Sequence, residues 1–109
     1  MTEADLIGRL LYQPLNQQFF QIVRFEEPYE FIEEAGRAMI LKSLATDHED
    51  PANWRQDIGD EYKLVSAEFP IELAIEYSQI SNRIRGDLNQ MDNILSHPEF
   101  EFEEVEPTT

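Results

Sequence analysis

One run of apolar residues restricts the possible fold more than any other feature of this sequence. After Pro70, apolar side chains recur at steps of 4, 3, 4, 4, 3 and 4 residues: Leu73, Tyr77, Ile80, Ile84, Leu88, Met91 and Leu95. An α-helix places such positions on one face, and the 11-residue repeat differs from the 7-residue repeat of a left-handed coiled coil. The spacing therefore predicts a long core helix over residues 70–96, which Gly86 weakens by roughly 1 kcal/mol relative to alanine. We expect Leu73, Tyr77, Ile80, Ile84, Leu88 and Met91 to line the core.

Three shorter segments that precede this run also fit helices. Thr2 and Asp5 resemble a capping box, and apolar residues at helical spacing follow it until Pro14. Residues 16–24 favour a second helix, although their aromatic and β-branched content leaves a short strand as the alternative. A third helix is predicted to begin at Pro28 and to end near residue 45, because proline is common at the first helical position.

The chain has 109 residues, of which 41% are hydrophobic, so it is long enough for one core and too short for two ordinary domains. Residues 46–60 contain Pro51 and Gly59 and suggest a surface loop, and a short amphipathic segment follows before Pro70. The sequence thus predicts an all-α fold: a compact bundle of about four to five helices with a long C-terminal helix. Residues 1–97 would form this single helical domain, and residues 98–109 an acidic, aromatic tail.

In the tail, apolar and acidic residues alternate as in a half-buried strand, from Glu99 to Glu106. Such a segment can add to the sheet edge of another chain or enter a basic, apolar groove. The alternative is a solvated chain end, since termini are often poorly ordered.

Negative charge dominates the composition, with 23 Asp and Glu against 8 Lys and Arg and a formal net charge of -15. Such a chain repels nucleic acid and anionic membranes and is steered toward basic surfaces. Its 7 Phe, 4 Tyr and 1 Trp provide the apolar area that disordered acidic chains lack. Solubility of a small domain requires a net charge of only about 2 to 8, so the excess points to a function.

Catalytic and metal-binding motifs are missing from the sequence. There is no cysteine, and His48 lies in a row of acids, Asp47 to Asp50, whose consecutive side chains diverge. No H-E-x-x-H, EF-hand, Gly-x-Ser-x-Gly or phosphate-binding loop is found. We therefore expect a non-enzymatic protein without a cofactor or metal. The N-terminal residues lack the basic start and long apolar region of a secretory signal, and no apolar run approaches ~20 residues, so we expect a cytoplasmic protein that does not enter membranes.

The acids are concentrated in clusters that suggest a partner-binding surface. The first cluster, which a helix would hold in fixed positions, contains Glu26, Glu27, Glu30, Glu33 and Glu34. Acids four residues apart on a helix rise by about 6 Å, a spacing comparable to that of phosphates along a nucleic-acid strand. The loop acids Asp47, Glu49 and Asp50 would support this cluster.

In composition and size the chain resembles the heterogeneous group of phage-encoded DNA mimics that block restriction or CRISPR effectors. The resemblance implies an inhibitor that occupies the basic groove of a nucleic-acid-binding protein or nuclease complex and does not itself bind nucleic acid. The resemblance is one of composition and size without a shared motif, so it assigns no role to individual residues. Two alternatives remain open: an immunity-type or adaptor protein that binds through an apolar helix face and the tail, and a structural subunit that forms homo-oligomers.

Overall fold

The computed structural model describes residues 3–26, 38–52, 57–59, 61–83 and 87–104. Its elements in chain order are α1 (Glu3–Leu6), β1 (Leu10–Gln13), β2 (Gln18–Glu26), β3 (Ala38–Ser43), β4 (Glu49–Ala52), β5 (Lys63–Val65), α2 (Ile71–Ser81), α3 (Leu88–Leu95) and β6 (Phe102–Glu103). The strands form one antiparallel sheet in the order β4-β3-β2-β1-β5-β6. Of the described residues, 29% are helical and 36% lie in strands, so the fold is α+β and the predicted all-α bundle is wrong.

The first two predicted helices are mostly strands. α1 makes one turn and is followed by Gly8 at φ +89°, a backbone conformation that favours glycine and ends the helix. β1 and β2 then form a hairpin in which Leu10 pairs with Gln21 and Gln13 with Gln18. The helix favoured for residues 16–24 is therefore wrong, and the strand alternative is correct for Gln18 onward.

The third predicted helix is also wrong where the structure describes it, since Ala38–Ser43 form β3 between β2 and β4. Residues 27–37 lie outside the described residues. The predicted loop over 46–60 contains β4, and the segment before Pro70 contains β5. The pairing of β2 with β3 shifts by one residue between Ile22 and Arg24. Residues three apart in a regular strand lie on opposite faces, but this shift allows Ile22 and Phe25 to belong to one buried apolar cluster.

The prediction of a long C-terminal helix is correct for its first residues and wrong for its length. α2 follows Pro70 directly but ends at Ser81, and α3 begins after Asp87, whose carboxylate accepts a hydrogen bond from Gln90 N at 3.1 Å. Of the predicted core residues, Tyr77, Ile80 and Met91 are buried and Leu73 is partly buried. Leu88 is 68% exposed, contrary to the prediction, and Ile84 lies outside the described residues.

Apolar clusters lie on both faces of the sheet. α2 and α3 cover one face, where the buried cluster comprises Leu10, Tyr12, Phe19, Leu44, Val65, Phe69, Ala74, Tyr77, Ile80, Met91 and Ile94. The opposite face carries Leu6, Leu11, Ile22, Phe25, Met39, Leu41 and Leu64. Because β1 is buried at all four positions, its side chains contribute to both clusters.

Two buried polar contacts attach α2 to the sheet. The hydroxyls of Tyr12 and Tyr77 are hydrogen-bonded at 2.9 Å, and Phe19 N donates to Ser78 Oγ at 2.8 Å. Burial, and then the hydrogen bond with Tyr12, raises the pKa of Tyr77. Both contacts satisfy polar groups that would be costly to bury alone, so they fix the position of α2 over β1 and β2.

The first part of the tail belongs to the sheet of its own chain. Phe100 contacts the rings of Tyr12, Phe19 and Phe69, with centroids 5.4 to 5.9 Å apart. Phe102 and Glu103 then pair with Val65 and Leu64 of β5. None of the helices within the described ranges combines the length and apolar character needed to cross a membrane.

Candidate functional site

The structure describes half of the predicted partner-binding residues. Glu26 ends β2, Asp47 lies in the turn between β3 and β4, and Glu49 and Asp50 belong to β4; all four are exposed. Glu27, Glu30, Glu33 and Glu34 lie outside the described residues. The argument from helical spacing fails at Glu26, because that residue belongs to a strand, in which successive side chains alternate between faces.

A tight hairpin positions the acids of β4. Ser43 N donates to His48 O and Asp47 N to Ser43 O, each at 2.8 Å, and these bonds close the connection between β3 and β4. Asp47 has φ +63°, a left-handed conformation that aspartate tolerates better than most residues. The carboxylate of Asp47 is thus held at the tip of the hairpin, next to those of β4.

On one face of the sheet, Arg24 binds two of the predicted acids, Glu26 and Glu49. Arg24 Nε lies 2.7 Å from Glu26 Oε1, and Arg24 Nη1 lies 2.8 Å from Glu49 Oε1. The hydrogen bonds to Glu26 and then to Glu49 raise the pKa of Arg24. These groups border a shallow cleft of about 230 Å³ whose floor includes the buried Ile40. Because Arg24 contacts both carboxylates, it compensates part of the negative charge on this face.

Asp50 follows Glu49 directly and, by strand alternation, lies on the opposite face. There it contributes to a group of acids around Tyr62, whose ring meets that of Phe20 edge-on at 5.5 Å. Burial, and then the charges of Glu61, Asp57 and Asp50, raise the pKa of Tyr62 to about 12. Carboxylates from two separate segments of the chain thus converge near one phenol.

We use the term acidic edge for the exposed or partly exposed carboxylates of the β3–β4 hairpin, of the end of β2 and beside Tyr62, namely Glu26, Asp47, Glu49, Asp50, Asp57 and Glu61. The acidic edge also has a structural role. β4 is the outer strand of the sheet, and charged side chains and the missing N–H of Pro51 discourage pairing with other chains. Protection of one short strand does not account for the net charge of -15 or for the acids beside Tyr62.

One histidine lies beside an acid of the acidic edge. His48 Nε2 and Asp50 Oδ1 lie 3.2 Å apart, but both side chains are mostly exposed. Within the described parts of the chain, no group of three His, Asp or Glu side chains is arranged to hold a metal ion. Gln13 Nε2 donates to Glu61 Oε1 at 2.9 Å, which orients one carboxylate beside Tyr62.

Sequence reasoning missed two features of this site. Asp57 and Glu61 belong to an acidic stretch of the sequence, but nothing in their spacing indicates that they lie near Asp50. The helix predicted for residues 16–24 includes Arg24 and does not predict its contacts with Glu26 and Glu49. The one available signal was the β-branched and aromatic content of residues 19–23, which was compatible with a strand.

Comparisons with protein-family models, curated proteins and solved structures find no significant match to this chain.

Proposed function

We propose that this protein binds a basic, nucleic-acid-binding partner through the acidic edge and inhibits it by occupying the groove that would hold DNA or RNA. The observation that carries the proposal is the hairpin of β3 and β4, which exposes Asp47 in its turn and Glu49 and Asp50 on the two faces of its outer strand. Glu26 adds to them on one face, and Asp57 and Glu61 on the other. A net charge of -15 steers the whole molecule toward a positive surface.

Strand geometry changes how such mimicry would work. Main-chain hydrogen bonds pair β4 with β3, so the backbone that carries these acids is ordered before binding and only their side chains lose conformational entropy on association. An outer strand with acids on both faces suits a groove with basic walls on two sides. This arrangement replaces the helical row of glutamates predicted from the sequence as the basis of the proposal.

The test compares two triple variants that remove equal charge. One carries Asp47→Asn, Glu49→Gln and Asp50→Asn at the acidic edge, and the matched control carries Glu68→Gln, Glu72→Gln and Asp92→Asn at exposed positions elsewhere. A partner isolated from the native host by affinity capture is tested for release by added DNA or RNA, and its association rates with both variants are measured over a series of salt concentrations. We expect the edge variant to associate roughly tenfold more slowly than the control, since steering contributes about 10-fold or more to such rates.

Equal losses in the two triple variants would show that total charge alone matters and would contradict recognition by the acidic edge. A partner that stays bound in the presence of excess DNA and at high salt would contradict nucleic-acid mimicry.

One observation favours a second candidate function, that of an adaptor. Phe102 is 49% exposed on β6, the other outer strand of the sheet, and is flanked by Glu101 and Glu103. A partner strand that adds to β6 would bury this ring. By contrast, the apolar face of α2 packs on the chain's own sheet. Phe102→Ser should abolish adaptor binding and leave binding through the acidic edge unchanged.

A further inference from the structure

β6 lies at the opposite end of the sheet from β4, and its hydrogen bonds to β5 fix the direction of its main chain. Ser66 N donates to Glu101 O at 2.8 Å, and Val65 is paired with Phe102. In an antiparallel pair, the main-chain groups of successive residues point alternately toward the neighbouring strand and away from it. The N–H and C=O of Phe102 therefore point away from β5, to the side of β6 on which none of the described strands lies.

The ring of Phe102 is supported on one side and open to solvent on the other. It stacks on the ring of Tyr12, with centroids 6.2 Å apart, and meets the ring of Phe100 edge-on at 5.2 Å. Even so, Phe102 remains 49% exposed. Its neighbours belong to the apolar cluster that α2 and α3 cover, so the ring extends that cluster to the edge of the sheet. A partner would meet an apolar surface that is already in position.

Protection of the edge explains part of this strand but not its phenylalanine. A very short outer strand with charged side chains discourages pairing with other chains, and β6 has two residues with acids around them. A charged or polar side chain would protect the edge better than a half-exposed ring. In Phe102, the exposed ring coincides with an N–H and a C=O that face outward, and strand addition uses both kinds of group.

Charge determines which chain could pair with β6. Glu101 and Glu104 are exposed, and Glu103 lies 2.6 Å from Arg9 in an ion pair. Opposite charges across neighbouring strands stabilise their pairing, and like charges weaken it. A second copy of the chain, paired antiparallel about Phe102, would set Glu101 of each copy against Glu103 of the other. A basic strand would meet only opposite charges.

We propose that β6 binds an extended basic segment of a partner protein as an added antiparallel strand. An apolar residue of that segment lies opposite Phe102, and its lysine or arginine residues lie opposite Glu101 and Glu104. The inference rests on the adaptor candidate, to which it assigns a partner of defined chemistry, and it is independent of the acidic edge.

The experiment adds an N-acetylated, C-amidated peptide of sequence Ser-Lys-Thr-Phe-Lys-Thr to the full chain. In antiparallel pairing, its phenylalanine would lie opposite Phe102, its first lysine opposite Glu104 and its second opposite Glu101. Hydrogen exchange measured by NMR gives the readout. We expect saturable protection of the Phe102 amide and little change at Glu103, whose N–H points toward β5.

Two N-methylated peptides test the direction of the added strand. A methyl group on the nitrogen of the peptide's phenylalanine removes the N–H that would donate to Phe102 O, and it should weaken binding about tenfold. The matched control carries the methyl group on the nitrogen of the following lysine, whose N–H would point away from β6, and it should bind nearly as well as the parent peptide.

Variants of the protein test the ring and the charges separately. Phe102→Thr should weaken peptide binding about tenfold, since it removes the apolar contact, whereas Leu15→Thr, at a residue that is 85% exposed elsewhere, should not change it. Glu101→Gln with Glu104→Gln should weaken binding more than Glu72→Gln with Asp92→Asn, which removes equal charge at exposed positions of α2 and α3.

Three results would overturn the proposal: no protection of Phe102 at about 1 mM peptide, equal weakening by the two N-methyl groups, or equal binding by the two charge variants. Self-association of the protein that Phe102→Thr abolishes would identify a second copy as the occupant and would also overturn it. If Phe102→Thr does not fold, the N-methylated peptides still decide with the wild-type chain. A host partner that is lost with Phe102→Ser, while the peptide does not bind, would preserve the adaptor candidate and overturn only the basic segment.

Discussion

The helix-covered face of the sheet and the acidic edge use polar groups in opposite ways. Beneath α2, the pairs Tyr12–Tyr77 and Phe19–Ser78 form buried hydrogen bonds, each directed at one partner. At the acidic edge, the carboxylates and Arg24 lie at the surface, where ion pairs contribute little to stability. The side chains that stabilise the fold and those that we propose to bind a partner thus lie in different parts of one small sheet, so variants can alter them separately.

The largest effect should come from the aromatic centre of the helix-covered face. Phe19 is fully buried and contacts the rings of Tyr12, Phe69, Tyr77 and Phe100. We expect Phe19→Ala to lower the free energy of unfolding by roughly 3 to 5 kcal/mol, measured by denaturant titration. Leu15→Ala, at a residue that is 85% exposed, is the control and should cost less than about 0.5 kcal/mol. Similar losses in both variants would contradict this core.

A smaller loss should follow from Ser78→Ala. This change leaves the buried Phe19 N–H without its acceptor, which should cost about 1 to 3 kcal/mol. Ser81→Ala removes a longer contact nearer the surface, from Ser81 Oγ to Asn16 O at 3.4 Å, and should change stability by less than about 0.5 kcal/mol. If the two serine variants unfold at the same denaturant concentration, the attachment of α2 to the sheet is not as described.

Raising the pH should destabilise the protein through Tyr62. Its pKa is raised from 10.0 to about 12 in the folded protein, so the unfolded chain loses this proton first. The stability contributed is complete below pH 10.0 and is lost as the pH rises toward about 12. Tyr62→Phe should reduce the alkaline loss of stability. Part of that loss should remain, because the pKa of Tyr77 is also raised. A tyrosinate absorbance titration that shows all four tyrosines ionising at their ordinary pKa would contradict this.

The smallest effect on stability should come from Arg24→Gln. This change removes the contacts with Glu26 and Glu49, but Arg24 is half-exposed, so the unfolding midpoint should remain unchanged within measurement error. Association with a basic partner should become faster, because the acidic edge loses its compensating charge. A clear fall in the unfolding midpoint would show that these ion pairs support the hairpin, and the division between stability and recognition would fail there.

Some features of this protein could be predicted from the sequence alone. They include the strong acidity and the beginning of α2 after Pro70, because each depends on residue type or on immediate neighbours. The alternation of Phe and Glu in the tail indicated a strand, and Phe102–Glu103 form β6, although the partner strand belongs to the same chain. Buried positions in α2 followed from helical periodicity, as shown by Tyr77 and Ile80.

Tertiary structure decided the fold class and the composition of the acidic edge. β1 and β3 carry buried side chains on both faces. Their sequences therefore lack the alternation of polar and apolar residues that identifies a half-buried strand. The short apolar runs that remain also fit helices. Leu88 is exposed because α2 ends at Ser81 and a separate helix, α3, begins at Leu88. Its spacing from Tyr77 therefore no longer determines which way its side chain faces. Asp50, Asp57 and Glu61 converge on Tyr62 only through the path of the chain around the sheet, and pairing between distant segments is not encoded in local spacing.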